Sequence, residues 1–366
     1  MTSFLIVWLF CFLSALVSLG LLRSLAPRLR LLDAPNHRKV HAGQVPLVGG
    51  LSAFLGFALP LLLFVSLDET FHWFLAGATL LVGVGALDDA NDLPASLRLG
   101  SQVLVGFLLV AGAEQYLYQV GDLFGGGDVV LGAFLGSLVT IAAVIGATNA
   151  FNMVDGIDGL IGALAITALL GLAYVFSASP AYYSEFLMTI CLVGALLPYL
   201  LANLQLFGAR GKVFSGDAGS MFIGFAVVWL LVRATQGEHA VMRPVTALWF
   251  IAVPLIDMVA IMVRRARKGQ PLMMADREHL HHIFLRAGFS HRQTLLIITF
   301  VAVLMAAFGL LGEVLAIDEW LMFLSFLLVF ALYDGLLQHA WKLLRFFRED
   351  DGLGPAGVVP RRRSKR

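Results

Sequence analysis

Charge is scarce in this sequence: 13% of its 366 residues are Asp, Glu, Lys or Arg, where a soluble domain carries about 25%. That shortage excludes an ordinary water-soluble globule. Cysteine is almost missing as well. Cys11 and Cys191 each sit inside an apolar run, so neither a disulfide framework nor a cysteine-based metal site can be assembled. No glycine-rich Walker or Rossmann loop and no H-E-x-x-H pattern occurs, which removes the common nucleotide-loop and zinc-protease solutions. The first apolar segment, Phe4 to Leu22, has no Lys or Arg before Arg23 and no small-residue cleavage signature. It reads as a retained helix and not as a signal peptide.

What is abundant is apolar surface, at 59% of residues and a mean hydropathy of +0.87. Stretches long enough for the roughly 20 residues of a spanning helix recur at about 3–22, 47–67, 72–87, 99–119, 129–148, 160–177, 185–206, 221–235, 245–263, 294–313 and 319–341. The expected fold is therefore all-α, a polytopic integral membrane protein with about 11 transmembrane helices. Of the 25 Lys and Arg, all but Arg233 and Arg243 fall in alternate loops, 23–46, 88–98, 149–159, 207–220 and 264–293, and in the tail. By the positive-inside rule that side is cytoplasmic, which puts the N-terminus in the periplasm and the C-terminus in the cytoplasm. Residues 1–341 read as one membrane domain. Residues 342–366 read as a basic cytoplasmic tail with too little apolar surface to pack, attracted to anionic membrane lipid.

Four of the cytoplasmic loops hold more than solvating charge, and two spans separate each from the next. The first is Asp88-Asp89-Ala-Asn91-Asp92. Adjacent carboxylates repel unless a cation or a basic side chain neutralises them, which suits a general base or a Mg²⁺ neighbourhood as well as a solvated helix end. The second is Asn149-Ala-Phe-Asn152-Met-Val-Asp155-Gly-Ile-Asp158-Gly159, whose polar residues recur every third position and on a helix would form one slowly drifting ridge. It could hold an ion, read a base, or simply cap itself. The third is Phe214-Ser-Gly216-Asp217-Ala-Gly219-Ser220, where amides at a helix start can face an anion and the carboxylate can hold a cation. Phe214 could stack a base or pack at the membrane interface. The fourth is Arg277-Glu-His279-Leu-His281-His282, in a loop that also carries Arg264, Arg265, Arg267, Lys268 and Arg286. Arginine forks and imidazoles suit a diphosphate, and three histidines also suit zinc.

These clusters, in this order and spacing, resemble the polyprenyl-phosphate N-acetylhexosamine-1-phosphate transferases. The stretches Pro46-Leu-Val-Gly-Gly50, Asn149 to Leu160, Val213 to Ser220, Pro244-Val-Thr-Ala-Leu-Trp249 and Asp276 to Gly288 look like the branch that makes undecaprenyl-diphosphate-GlcNAc in bacteria, and the likeness runs from about residue 20 to 315. The resemblance implies an inner-membrane enzyme whose lipid acceptor, undecaprenyl phosphate, attacks the β-phosphorus of UDP-GlcNAc and releases UMP, with Mg²⁺ or Mn²⁺. Such a step would begin a lipid-linked surface polysaccharide such as O-antigen. It further implies a metal at Asp217 with Asn152, and Asp88 and Asp89 as the acidic pair beside the lipid phosphate. Asp155, Asp158 and Phe214 fall on the nucleotide, with Asp158 and Phe214 reading and stacking the uracil. Arg265, Arg277, His279, His281 and His282 fall on the sugar-diphosphate, and Arg98 on the lipid phosphate. No nucleic-acid partner is expected, and a homodimer is left open.

The sequence departs from that branch at Gln270-Pro-Leu-Met-Met-Ala275, where relatives read Ser-Pro-Phe-Ser-Pro, and at Ser215, where Met is common. The former loop bears on the choice of sugar, so another UDP-N-acetylhexosamine is the first rival. The peptidoglycan translocases fit less well, since they usually carry Lys where Asp92 stands. An ion-coupled transporter would concentrate its charges near midspan, whereas here the carboxylates gather at one boundary.

Overall fold

The computed structural model describes residues 2–33, 43–65, 68–208, 211–271 and 279–350. It is a bundle of helices: α1 (Thr2–Leu29), α2 (Gly49–Phe64), α3 (Glu69–Asn91), α4 (Ala95–Phe107), α5 (Gly132–Val154), α6 (Leu160–Ser177), α7 (Tyr183–Asn203), α8 (Gly216–Thr235), α9 (Pro244–Phe250), α10 (Ala252–Arg267), α11 (Leu280–Arg286), α12 (His291–Val314) and α13 (Glu319–Asp350). Among the described residues the only sheet is one short antiparallel pair, β1 (Leu32–Asp33) with β2 (Val45–Pro46).

Every predicted span corresponds to a helix or a helix pair, and among the described residues nine helical segments are long and apolar enough to cross a membrane. Two of the eleven depart from a simple spanning rod. The span expected at 47–67 is a 16-residue helix, α2. The span expected at 245–263 is two helices, α9 and α10, bent by 85° at Ile251. Pro254 follows the break and has no N–H to give the carbonyl one turn back, so an unbroken helix cannot be carried through. The span expected at 99–119 also ends early. α4 runs into a wide turn at Leu108–Gly112, and the chain then makes an irregular excursion in which Val120 N–H bonds to Val129. Gln236 pins that excursion through its side chain, accepting from and donating to the Gln119 backbone. At the other end of the chain α13 continues to Asp350, past the boundary expected at 341, while 351–366 lie outside the described residues.

α8 is the axis. Apart from Arg233 it is buried from Ala218 to Thr235, with α2, α3, α5 and α6 packed around it. In a membrane such packing depends on small residues that let backbones approach. Gly85 of α3 shows why: a Cβ there would lie 2.5 Å from the Ala218 Cα. That contact draws the carboxylate end of α3 against the first turn of α8. Phe57, Phe74, Phe222, Phe225 and Trp229 fill the space beside it with edge-to-face and stacked rings. At the far end of the bundle the two basic residues outside the basic loops are both paired, Arg233 with Glu185 and Arg243 with Glu313.

Candidate active site

The polar loops converge at one end of the bundle around a cavity of about 1160 Å³. Its lining includes Asp88, Asp89, Asn152, Asp155, Asp158, Phe214, Asp217 and His282, all expected from the sequence, and also Asp33, Asp92, Asn203, Lys212, Arg286 and His291. Carboxylates, imidazoles and a guanidinium therefore line one space.

The acidic wall is built by the α3–α8 contact. Asp88 is buried, and its carboxylate accepts from Leu93 N–H at 2.6 Å and from Arg98 Nη1 at 3.0 Å. Arg98 also stands 3.7 Å from Asp217 Oδ2. One guanidinium thus neutralises two of the three clustered aspartates. Asp89 accepts from the backbone N–H groups of Asp217 and Ala218, at 2.8 and 3.3 Å. These donors at the start of α8 have no partner within the helix, so the end that the sequence offers to an anion is filled by Asp89 itself.

Asn152 donates to Asp217 Oδ1 and to Ser220 Oγ, which ties α5 to α8. The expected ridge does not continue beyond it. α5 ends at Val154, and Asp155 to Gly159 form a turn in which Gly159 has φ +83°. Asn149, on the helix, turns away to bond Gln102, while Asp155 and Asp158 reach the cavity from the turn. Burial, followed by the negative charges of Asp217 and Asp158, pushes Asp155 up to about 7.

The histidine motif divides. His282 lines the cavity, but His279 and His281 are buried and are not among its lining residues. His279 Nδ1 lies 2.9 Å from Asp257 Oδ2, and Asp257 also accepts from Leu280 N–H at 3.1 Å and Tyr333 O–H at 2.5 Å. Asp257 is thereby the anchor of α11, although it stands inside α10 and far from the motif in sequence. A carboxylate inside an apolar stretch was the signal that could have revealed it. His281 packs its ring on Gly156, where a Cβ would lie 2.0 Å from Nε2. Burial and the neighbouring imidazoles push His281 down to about 3, so it stays neutral. The three rings do not converge on one point: those of His279 and His281 are parallel with centroids 5.8 Å apart. Arg265 is buried in α10 and is not in the lining, and Arg277 lies outside the described residues.

The described residues hold no group of three or more His, Cys, Asp or Glu arranged for a metal. That argues against a structural zinc cage and leaves room for a hard cation that uses one or two carboxylates and keeps its waters. Asp217, partly accessible on the cavity wall beside the Asn152 amide, fits that requirement.

The remaining wall is a clasp. Phe214 N–H bonds to Pro46, while the Phe214 and Ser215 carbonyls accept from Gly49 and Gly50. Asn203 joins the two loops beside it, accepting from Gly159 N–H at 2.5 Å and donating to the Val213 carbonyl at 2.8 Å. Lys212 bonds Asp158 Oδ2 at 2.6 Å. Nothing in composition singles out Lys212 among 25 basic residues.

The model of glycosyl transferase family 4 matches residues 71–235. A protein of Yersinia pestis is 45% identical over 341 residues, covering 93% of this chain and 93% of its own length. One of Escherichia coli K12 is 43% identical over 340 residues, with 92% of each chain covered. One of Haemophilus influenzae is 41% identical over 342 residues, covering 92% of this chain and 95% of its own. All three carry the name undecaprenyl-phosphate alpha-N-acetylglucosaminyl 1-phosphate transferase.

Proposed function

We propose a function from one premise: this chain belongs to glycosyl transferase family 4. It is an enzyme that transfers GlcNAc 1-phosphate from UDP-GlcNAc to undecaprenyl phosphate, as its relatives' names describe for them. The phosphate oxygen of the lipid attacks the β-phosphorus of the donor, the bond from that phosphorus to the bridging oxygen breaks, and UMP leaves. The observation that carries this reading is the large cavity where an acidic wall, an imidazole and guanidinium wall and a phenyl ring meet at an end of an apolar bundle. A lipid phosphate and a soluble nucleotide can both reach such a place.

Phosphoryl transfer is governed by positioning and electrostatic stabilisation. The nucleophile is a phosphate monoester with a second pKa of about 6, so it is largely dianionic near neutrality and little help from a base is required. Asp88, with Arg98, then serves to place the lipid phosphate, and Asp89 to hold α8 in position. Asp217 and Asn152 would hold Mg²⁺ or Mn²⁺, which supplies charge neutralisation for the diphosphate. His282 and Arg286, which line the same cavity, would take the diphosphate, with His279 and His281 shaping the turn that carries them. Asp158 and Phe214 take the uracil. By the positive-inside rule the basic loops support a cytoplasmic face for this end of the molecule in a bacterial inner membrane, where the product would start a surface polysaccharide.

The test is UMP release by the detergent-purified protein with undecaprenyl phosphate and Mg²⁺, offering UDP-GlcNAc, UDP-GalNAc and UDP-MurNAc-pentapeptide separately. Release with UDP-GlcNAc that is lost in Asp217→Ala is the expected result. Release with none of the three from folded protein would overturn the reading.

A further inference from the structure

Among the described residues that line the cavity, Phe214 supplies the one phenyl ring, and its surroundings are specific. Lys212 Nζ stands 4.9 Å from the ring centroid and 2.6 Å from Asp158 Oδ2. The two side chains are 18% and 30% exposed, so water reaches the pair without dissolving it. Asn203 fixes the backbones that carry them, bonding Gly159 next to Asp158 and Val213 next to Lys212. An acceptor and a donor are thus held side by side, with the ammonium over the face of the aromatic ring.

A base stacked on that same face of Phe214, offset away from the ammonium, would present its edge to that pair. Uracil offers an N3–H donor flanked by two carbonyl oxygens, so Asp158 can take the N3–H while Lys212 donates to the neighbouring oxygen. Cytosine carries a lone pair at N3 and an amino group at C4. In the same position its N3 would face a carboxylate. Cytosine could recover two bonds only by sliding one atom along its edge, and a ribose and diphosphate anchored elsewhere in the cavity oppose that shift. We propose that Lys212 is a specificity-determining residue which, with Asp158, selects a uracil over a cytosine nucleotide donor. This rests on the proposed function, and within it on the base lying against Phe214. A purely structural ion pair is worth little and would make no distinction between the two bases.

The test compares inhibition of the holoenzyme by UMP and by CMP, together with KM and kcat for UDP-GlcNAc, in wild type, Lys212→Met, Lys212→Arg and Phe214→Leu. In Lys212→Met the preference for UMP over CMP should shrink roughly 10-fold or more, the loss expected for one charge-assisted hydrogen bond. KM should rise with kcat nearly kept, and Lys212→Arg should retain most of the preference. If Lys212→Met keeps the wild-type ratio of UMP to CMP inhibition, or weakens both equally, while Phe214→Leu raises KM, the base lies where proposed and Lys212 does not select it. If Phe214→Leu changes neither KM nor UMP inhibition, the base reading fails and this inference with it. Should Lys212→Met not fold, Lys212→Gln, which keeps a neutral donor, decides by the same ratio.

Discussion

Asp155 sits in the cavity wall with its carboxyl pushed up to about 7 by burial and by Asp217 and Asp158. In the unfolded chain it titrates near the ordinary value of about 4. Between those values the folded protein binds more protons than the unfolded, so this group lowers stability progressively as pH rises from about 4 to about 7, and no further above. Asp155→Asn should therefore raise the melting temperature of the metal-free protein more at pH 8 than at pH 5, while reducing UMP release. An equal gain at both pH values would show that Asp155 is not the group responsible. Asp257 acts at the same scale. Its carboxylate serves three donors, and Tyr333→Phe removes one of them at about 1 kcal/mol. Asp257→Ala strands all three, and a buried donor left unpaired costs about 1–3 kcal/mol. Thermal melts and UMP release should both fall in the order wild type, Tyr333→Phe, Asp257→Ala.

Between elements, the site depends on how closely α3 meets α8. A methyl group at Gly85 would press on the Ala218 backbone, whereas one at Gly83, on the same helix, would meet nothing within 4 Å. Gly85→Ala should shift Asp89 off the start of α8 and lower kcat by about 10-fold or more, since displacements near 1 Å are expensive in positioned catalysis. Gly83→Ala should leave kcat at wild-type level. Equal rates for the two variants would mean that the α3–α8 approach does not set the geometry of the acidic wall. The break between α9 and α10 works alongside this. Because α10 leaves α9 at 85°, its Asp257 can reach both α11 and Tyr333 of α13.

For the molecule as a whole, the uneven distribution of basic residues predicts which end faces the cytoplasm. Cys11 and Cys191 are both buried, so they leave little background for labelling. A membrane-impermeant maleimide applied to intact spheroplasts should modify Glu238→Cys, at the end holding Arg233 and Arg243. Arg292→Cys, beside the cavity residue His291, should react only after permeabilisation. The reverse pattern would turn the enzyme over and put its nucleotide site outside the cell.

The apolar runs determined that the chain crosses a membrane in helices and roughly where, because a bilayer leaves backbone groups no other partner. Boundary charges determined which loops could carry chemistry, and Asp88, Asp89, Asn152, Asp155, Asp158, Phe214, Asp217 and His282 do meet around one cavity. Those are local properties, written in residue type and spacing. Contacts between distant segments were decided by the tertiary structure alone. Asp89 occupies the helix start that the sequence left open to an anion, because Gly85 lets α3 close on α8. His279 turns inward, because a carboxylate 22 residues earlier in the chain captures its ring. Lys212 is drawn to Asp158 and Phe214, because Asn203 bonds the backbones of both loops. Spacing along a chain records which groups are available, whereas the direction a side chain takes depends on a partner that sequence periodicity does not reveal.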